Sequence, residues 1–215
     1  MSFTMKIGID DTTRCNVIGS LFIAMVVVKP DFFRRFSYLP IKDSKLLSRK
    51  QRDMIVQRTS AYLDYLHIHK IEPKTIDKEN LNDLEVKGMI ECLNSYKEFW
   101  KHKIYIDNIY LKKEAFLNRF NKFIPHNLKN IDLRTDKWII INRCDEKYKV
   151  CSLASIYAKH YSDLEYDDLR RVYPDIGSGV PNDNKTRKFI LNNPDCIHIR
   201  KSWKTYKNII KSEVQ

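Results

Sequence analysis

The sequence is poor in glycine and proline, with five and seven in 215 residues. That scarcity excludes collagen-like and low-complexity chains, and an apolar fraction of 43% suits a packed soluble core. Long apolar runs are also missing. The longest, Val17 to Val28, carries Gly19 and Ser20 inside it and is far too short to cross a bilayer. The opening MSFTMKIGIDD puts acids where a signal peptide needs an apolar stretch, so export is not expected. Cysteine is sparse and irregular: Cys15, Cys92, Cys144, Cys151 and Cys196 are odd in number and match neither a disulfide framework nor a zinc pattern. A reducing, cytoplasmic setting is the simple expectation. With no internal repeat and no linker, a chain of this length reads as one structural unit able to bury a core unaided.

What the chain has in excess is positive charge. Lys and Arg number 39 against 27 Asp and Glu, a formal net charge of +12. The surplus is densest at the end, where residues 185–215 hold eight Lys/Arg against two acids. Such an imbalance implies a polyanionic partner. Nucleic acid is favoured over a membrane face, because neither a lipid anchor nor a long amphipathic helix accompanies the charge.

Hydrophobic periodicity predicts strands at Met5 to Asp10 and Ile18 to Val28, paired as a hairpin. Ser48 with Gln51 forms a capping-box start for a helix over Arg49 to Leu63. A strand follows at Tyr65 to Ile71, and a helix at Asp83 to Tyr96 with Val86, Met89, Ile90 and Leu93 on one face. Then come a strand at Lys103 to Asp107, a helix at Lys112 to Phe123, and an apolar strand at Trp138 to Ile141, expected to be central. A helix over Cys151 to Arg171 with small residues early, and another over Thr186 to Leu191, complete the pattern. The expected fold is α/β: a mixed sheet flanked by helices, with a catalytic core over residues 1–163 and a basic helical segment over 164–215 packed on it.

Acids at strand ends carry more chemical meaning than acids on helix faces, because open α/β sheets place their sites there. Asp10 and Asp11 close the first strand, Asp107 closes the Lys103 strand, and Asp145 follows the Trp138 strand. If those strands are neighbours, the carboxylates converge, and all-oxygen ligation suits Mg²⁺ or Mn²⁺ rather than zinc. Two such ions would activate a water and steady the leaving oxygen in phosphodiester cleavage. The plainer alternative is a set of solvated strand-end acids; spacing alone does not decide, and the basic surplus favours the metal-dependent nuclease.

The run GIDDTTRCNVIGSLFIA (Gly8 to Ala24) resembles the opening motif of type 2 ribonucleases H. The resemblance continues through KDSKLLS (Lys42 to Ser48), IDKENLNDLEVKGM (Ile76 to Met89), YIDN (Tyr105 to Asn108) and CDEKYKVCSLASIYAKHYSD (Cys144 to Asp163). It ends with YPDIGSGVPNDNKTR (Tyr173 to Arg187) and RKSWKT (Arg200 to Thr205), which look like the archaeal-type branch. Seven segments in order cover nearly the whole chain. The resemblance implies a ribonuclease H-like fold and an endonuclease that cuts the RNA strand of RNA/DNA hybrids, leaving 3′-hydroxyl and 5′-phosphate ends. It implies catalytic, metal-holding acids at Asp10, Asp11, Asp107 and Asp145, and two ions. It further implies nucleic-acid contacts from Arg14, Ser44, Lys45 and Lys147, and a monomer working on a hybrid duplex. Arg200, Lys201 and Lys204, interleaved with Trp203 and Tyr206, read as a patch of stacking and phosphate contacts; a docked amphipathic terminus is the alternative there, and a solvated lysine is the alternative for Lys45.

Five positions depart from the family pattern. Asp11 stands where the family has glutamate, shortening the reach by at most about 1.5 Å. Thr13 and Cys15 replace the two glycines that let backbone amides approach the ribose 2′-hydroxyl, and a side chain there obstructs the approach or demands unfavourable φ/ψ. Val180 replaces a tyrosine that stacks at the RNA–DNA junction, and Asn16 replaces a proline. The expectation is a nuclease centre with weakened or altered preference for single embedded ribonucleotides. Two other readings stay open: a catalytically weak hybrid-binding protein on this scaffold, and, by fold analogy alone, a recombinase or junction nuclease.

Overall fold

The computed structural model describes residues 4–108, 110, 112–129 and 131–211. In chain order the elements are β1 (Lys6–Thr12), β2 (Leu21–Val28), α1 (Phe32–Arg35), α2 (Arg49–Thr59), β3 (Tyr65–Ile71), α3 (Pro73–Ile76) and α4 (Leu81–Asn94). There follow β4 (Lys103–Asp107), α5 (Lys113–Phe123), β5 (Trp138–Ile141), α6 (Cys144–Lys147), α7 (Lys149–Val172), α8 (Asn184–Asn192) and α9 (Lys204–Lys211). The strands form one sheet in the order β3-β2-β1-β4-β5. β1, β2 and β3 pair antiparallel, while β1, β4 and β5 pair parallel. This is the mixed sheet flanked by helices that the patterning predicts.

Local chemistry sets several boundaries. Ser48 and Gln51 close both bonds of the capping box that opens α2. The Asn80 side chain accepts from the amides of Asn82 and Asp83 at the start of α4. β2 is buried along its whole length because both its faces are covered. Leu21, Ile23, Met25 and Val27 enter the cluster under α4 and α5, whereas Ala24, Val26 and Val28 enter the one under α2 and α7. Each of the Leu, Ile, Met and Val side chains among them contributes roughly 1.5–3 kcal/mol on burial.

α7 lies so close to β1 that Gly8 has no room for a side chain: a Cβ there would sit 2.2 Å from the Val150 carbonyl oxygen. The small residues Ser152, Ala154, Ser155 and Ala158 in the first half of α7 are buried.

One strand departs from expectation. β5 is at the edge of the sheet, not its centre. Trp138 and Ile140 are buried, but Ile139 and Ile141 are only half-buried. A four-residue apolar run has the same composition whether one or two strands flank it, so its place in the sheet is not encoded locally.

α7 runs unbroken through residue 163. Past it, Leu169, Ile176, Phe189, Ile190, Ile199 and Ile209 form a third cluster with Val17 and Ile18, which belong to the loop between β1 and β2. An isolated bridge joins Ile18 to Ile199. Residues 212–215 of the expected C-terminal segment lie outside the described residues.

Candidate active site

Parallel pairing of β1 with β4 puts Ile9 opposite Ile106, so Asp10 and Asp107 are the next residues on adjacent strands. Asp11 follows on β1, and Asp145 lies in α6, just beyond β5. All four line one cavity of about 610 Å³ together with Thr12–Asn16, Ser44, Lys45, Arg52, Ser155, Lys159 and Val180. Asp10 and Asp145 are buried. One oxygen of Asp10 accepts from the Asp11 amide at 2.8 Å, and one of Asp107 accepts from the Cys144 amide at 2.7 Å.

The acids strain against their surroundings electrostatically. Burial first, then the charges of Asp107, Asp11 and Asp145, hold the Asp10 carboxyl well above the ordinary 3.8. Asp11 is pushed up to about 6 by burial, with Arg14 and Lys45 pulling it down and Asp107 pushing it up. Asp145 is also pushed up to about 6, by burial and then by Asp107 and Asp43. Burial raises Asp107 as well, against the lowering effect of the Cys144 amide and Lys45. Burial works to lower Lys45, but Asp145, Asp43, Asp10 and Asp107 together carry it above its usual value.

A cationic side faces the acids. Lys45 follows Asp43, whose carboxylate accepts from the Lys45 amide at 2.9 Å. The Ser44 and Ser155 hydroxyls are 2.8 Å apart. Arg52 and Lys159, which sequence reasoning missed as site residues, both reach the cavity and share Asp163, at 2.6 and 2.9 Å. Their spacing on two separate helices carries no local signal of this meeting.

The loop after β1 forms the third wall. Thr13 has φ +68°, a conformation that β-branched residues rarely adopt. The Arg14 guanidinium donates to Asn82 Oδ1 at 2.6 Å and pairs with the fully buried Glu85. Cys15 is exposed, and Val180 is 43% exposed at the rim of the same cavity. Glu85 was not legible as a partner, since it sits among apolar residues of α4.

The remaining basic candidates stand apart. Lys147 is exposed at the end of α6, outside the cavity. Lys204 is exposed, and Lys201 is half-buried, its amide donating to Asp77 at 2.9 Å. Arg200, expected to meet nucleic acid, is 0% exposed and directs its Nε and Nη1 to carbonyls inside the protein, so that expectation is corrected. Lys201 and Lys204, close to it in sequence, are basic and reach solvent, and residue type alone does not separate Arg200 from them.

Among the described residues, no three His, Cys, Asp or Glu side chains already stand disposed around one point to hold an ion. The chemistry of the donor set nonetheless fits a hard divalent cation: four carboxylates on one cavity, repelling one another and raised in pKa.

The chain resembles known proteins over nearly its whole length. A family model described as Ribonuclease HII matches residues 7–206. A ribonuclease HII of Methanosphaera stadtmanae is 35% identical over 213 residues, covering 96% of this chain and 95% of that protein. One from Pyrococcus abyssi is 34% identical, covering 95% and 91%. The crystal structure of the ribonuclease H2 from Pyrococcus horikoshii superposes with a TM-score of 0.82 at 27% identity, covering 99% of this chain and all of that one.

Proposed function

The chain belongs to the ribonuclease HII family, and on that premise we propose that Asp10, Asp11, Asp107 and Asp145 are its catalytic acids. The activity itself is that of an endonuclease degrading the RNA of RNA/DNA hybrids. The observation that carries the assignment of the acids is their convergence, from two adjacent strand ends and a following helix, on one cavity faced by Lys45.

In this reading the four carboxylates hold two Mg²⁺ or Mn²⁺ ions. When bound, the ions supply Lewis-acid stabilisation and a deprotonated water for phosphodiester hydrolysis. The chain's own residues do the rest. Asp10, buried and repelled by the other three acids, would gain most from a neutralising charge. Lys45 places a cation over the scissile phosphate, and Ser44 offers a hydroxyl donor beside it. Arg14, fixed by Asn82 and Glu85, holds the loop against the ribose side of the groove. Lys147, Lys201 and Lys204 steer the duplex by phosphate charge. The products carry 3′-hydroxyl and 5′-phosphate ends. The enzyme works as a monomer in a reducing compartment, a setting that its five free cysteines suit.

Thr13, Cys15 and Val180 set the substrate preference. Side chains at 13 and 15 keep backbone amides from the 2′-hydroxyl, and valine offers neither a stacking ring nor a hydroxyl. The enzyme therefore cuts continuous hybrids without favouring a lone ribonucleotide. Mutually repelling acids have no use in a pure binder, which argues against a hybrid-binding protein without activity. The test is cleavage of an end-labelled hybrid with Mg²⁺ or Mn²⁺, wild type beside Asp107→Asn, with ion binding followed by calorimetry. Cleavage and ion binding both lost in the variant support the assignment; a variant that cleaves like wild type refutes it.

A further inference from the structure

We propose that Arg200 is a positioning residue that sets the shape of the substrate-facing loop, residues 13–19, from beneath. The proposal rests on the reading above, in which that loop meets the ribose side of the hybrid.

Arg200 is fully buried, and its Nε and Nη1 are spent on backbone rather than on phosphate, while its Nη2 is buried without a hydrogen-bond partner. Its Nε donates to the Gly19 carbonyl at 2.9 Å, and its Nη1 donates to the Arg14 carbonyl at 3.3 Å. One planar group thus ties together two carbonyls five residues apart, across the turn that carries Thr13 and Cys15 into the cavity. The guanidinium carbon lies 4.9 Å from the centre of the Trp203 ring, which gives the charge a face to rest on. Asp77 holds the next two amides, of Lys201 and Ser202, at 2.9 Å each, so the clamp is anchored from its own side.

The fork geometry matters. A lysine has one nitrogen and cannot reach both carbonyls with fixed orientation, whereas two nitrogens of one rigid plane can. Arg14 is held twice, by its side chain to α4 and by its carbonyl to Arg200, so its direction into the cavity depends on both. Thr13, one residue earlier, sits at φ +68°, a backbone state that persists only where the surroundings over-determine it.

The experiment uses the full chain with Arg200→Lys and Arg200→Met, read by amide hydrogen exchange and by cleavage kinetics on a continuous hybrid. The amides of Val17, Gly19 and Ser20, all bonded in the fold, are the reporters. Arg200→Met is expected to speed their exchange about tenfold and to raise KM about tenfold, with kcat within about twofold because the acids are untouched. Arg200→Lys, keeping one of two bonds, falls between, at about threefold in KM. Should Arg200→Met not fold, Arg200→Lys alone decides on the same readouts. Unchanged exchange at these amides, or a loss confined to kcat at constant KM, overturns the proposal. A wild type that cuts no hybrid would instead refute the reading of the site, and the exchange arm would still decide on Arg200.

Discussion

The Thr13 hydroxyl donates to the Ser20 carbonyl at 2.6 Å, holding closed a turn in which Thr13 itself occupies the left-handed backbone region. A β-branched residue there costs on the order of 1–2 kcal/mol. The hydroxyl bond offsets about 1 kcal/mol of it. Thr13→Val keeps the strain and loses the bond, so its urea midpoint is expected to fall by the equivalent of about 1–2 kcal/mol. Thr13→Gly loses both and is expected to be near neutral. Equal losses in the two variants would mean that the hydroxyl does not hold the turn.

Asp10 is buried against three like charges. In chelator, Asp10→Asn removes one repelling charge at constant volume and is expected to raise Tm by about 2–4 °C, the equivalent of roughly 1 kcal/mol. Adding Mg²⁺ or Mn²⁺ is expected to raise the wild-type Tm and to leave the variant unmoved. A variant less stable than wild type in chelator would contradict the account of mutual repulsion. Differential scanning calorimetry measures both arms.

Asp183 caps α8 and gathers the Ser178 amide and hydroxyl, both at 2.7 Å, and the Lys185 amide at 3.0 Å. The Ser178 hydroxyl, then the Ser178 amide, hold its carboxyl down at about 2, below the unfolded 3.8. Because the folded value is lowered, its contribution is complete above about pH 4 and is lost as pH falls through about 2. Asp183→Ala is expected to cost about 1–2 kcal/mol at pH 7. The gap to wild type should narrow as unfolding is followed from pH 4 toward pH 2, and a constant gap would assign the loss to packing.

Gly8→Ala is expected to be the most damaging small change in the core, because its methyl group would meet a backbone carbonyl, which cannot rotate away. Separating β1 from α7 is expected to cost about 3 kcal/mol in urea unfolding and to move Asp10 out of place. A well-folded, fully active variant would show that this packing tolerates a shift.

Much of this arrangement is legible from residue order alone. Tyr65–Ile71 and Lys103–Asp107 read as strands at their observed bounds, the first because its residues alternate, the second as a short run of Ile104, Tyr105 and Ile106 closed by Lys103 and Asp107. Ser48 and Gln51 announce α2 by chemistry that acts within one turn. What is not legible depends on distant partners. The edge place of β5, the burial of Arg200 and the entry of Arg52 and Lys159 into the cavity all arise from packing between segments far apart in the chain. Arg200 is the sharpest case: RKSWK reads as a patch of stacking and phosphate contacts or as a docked amphipathic terminus, and the carbonyls of Arg14 and Gly19, with the Trp203 ring, are what hold its first member inside.

The most direct measurement compares kcat/KM on two duplexes of one sequence, a continuous RNA/DNA hybrid and a DNA duplex bearing one ribonucleotide, in Mg²⁺ and in Mn²⁺. The account expects the hybrid to be cut at least as well as the lone ribonucleotide, with the ratio moving toward the latter in a Thr13→Gly, Cys15→Gly, Val180→Tyr variant. A wild type that strongly prefers the lone ribonucleotide would show that the side chains at 13, 15 and 180 do not set the preference.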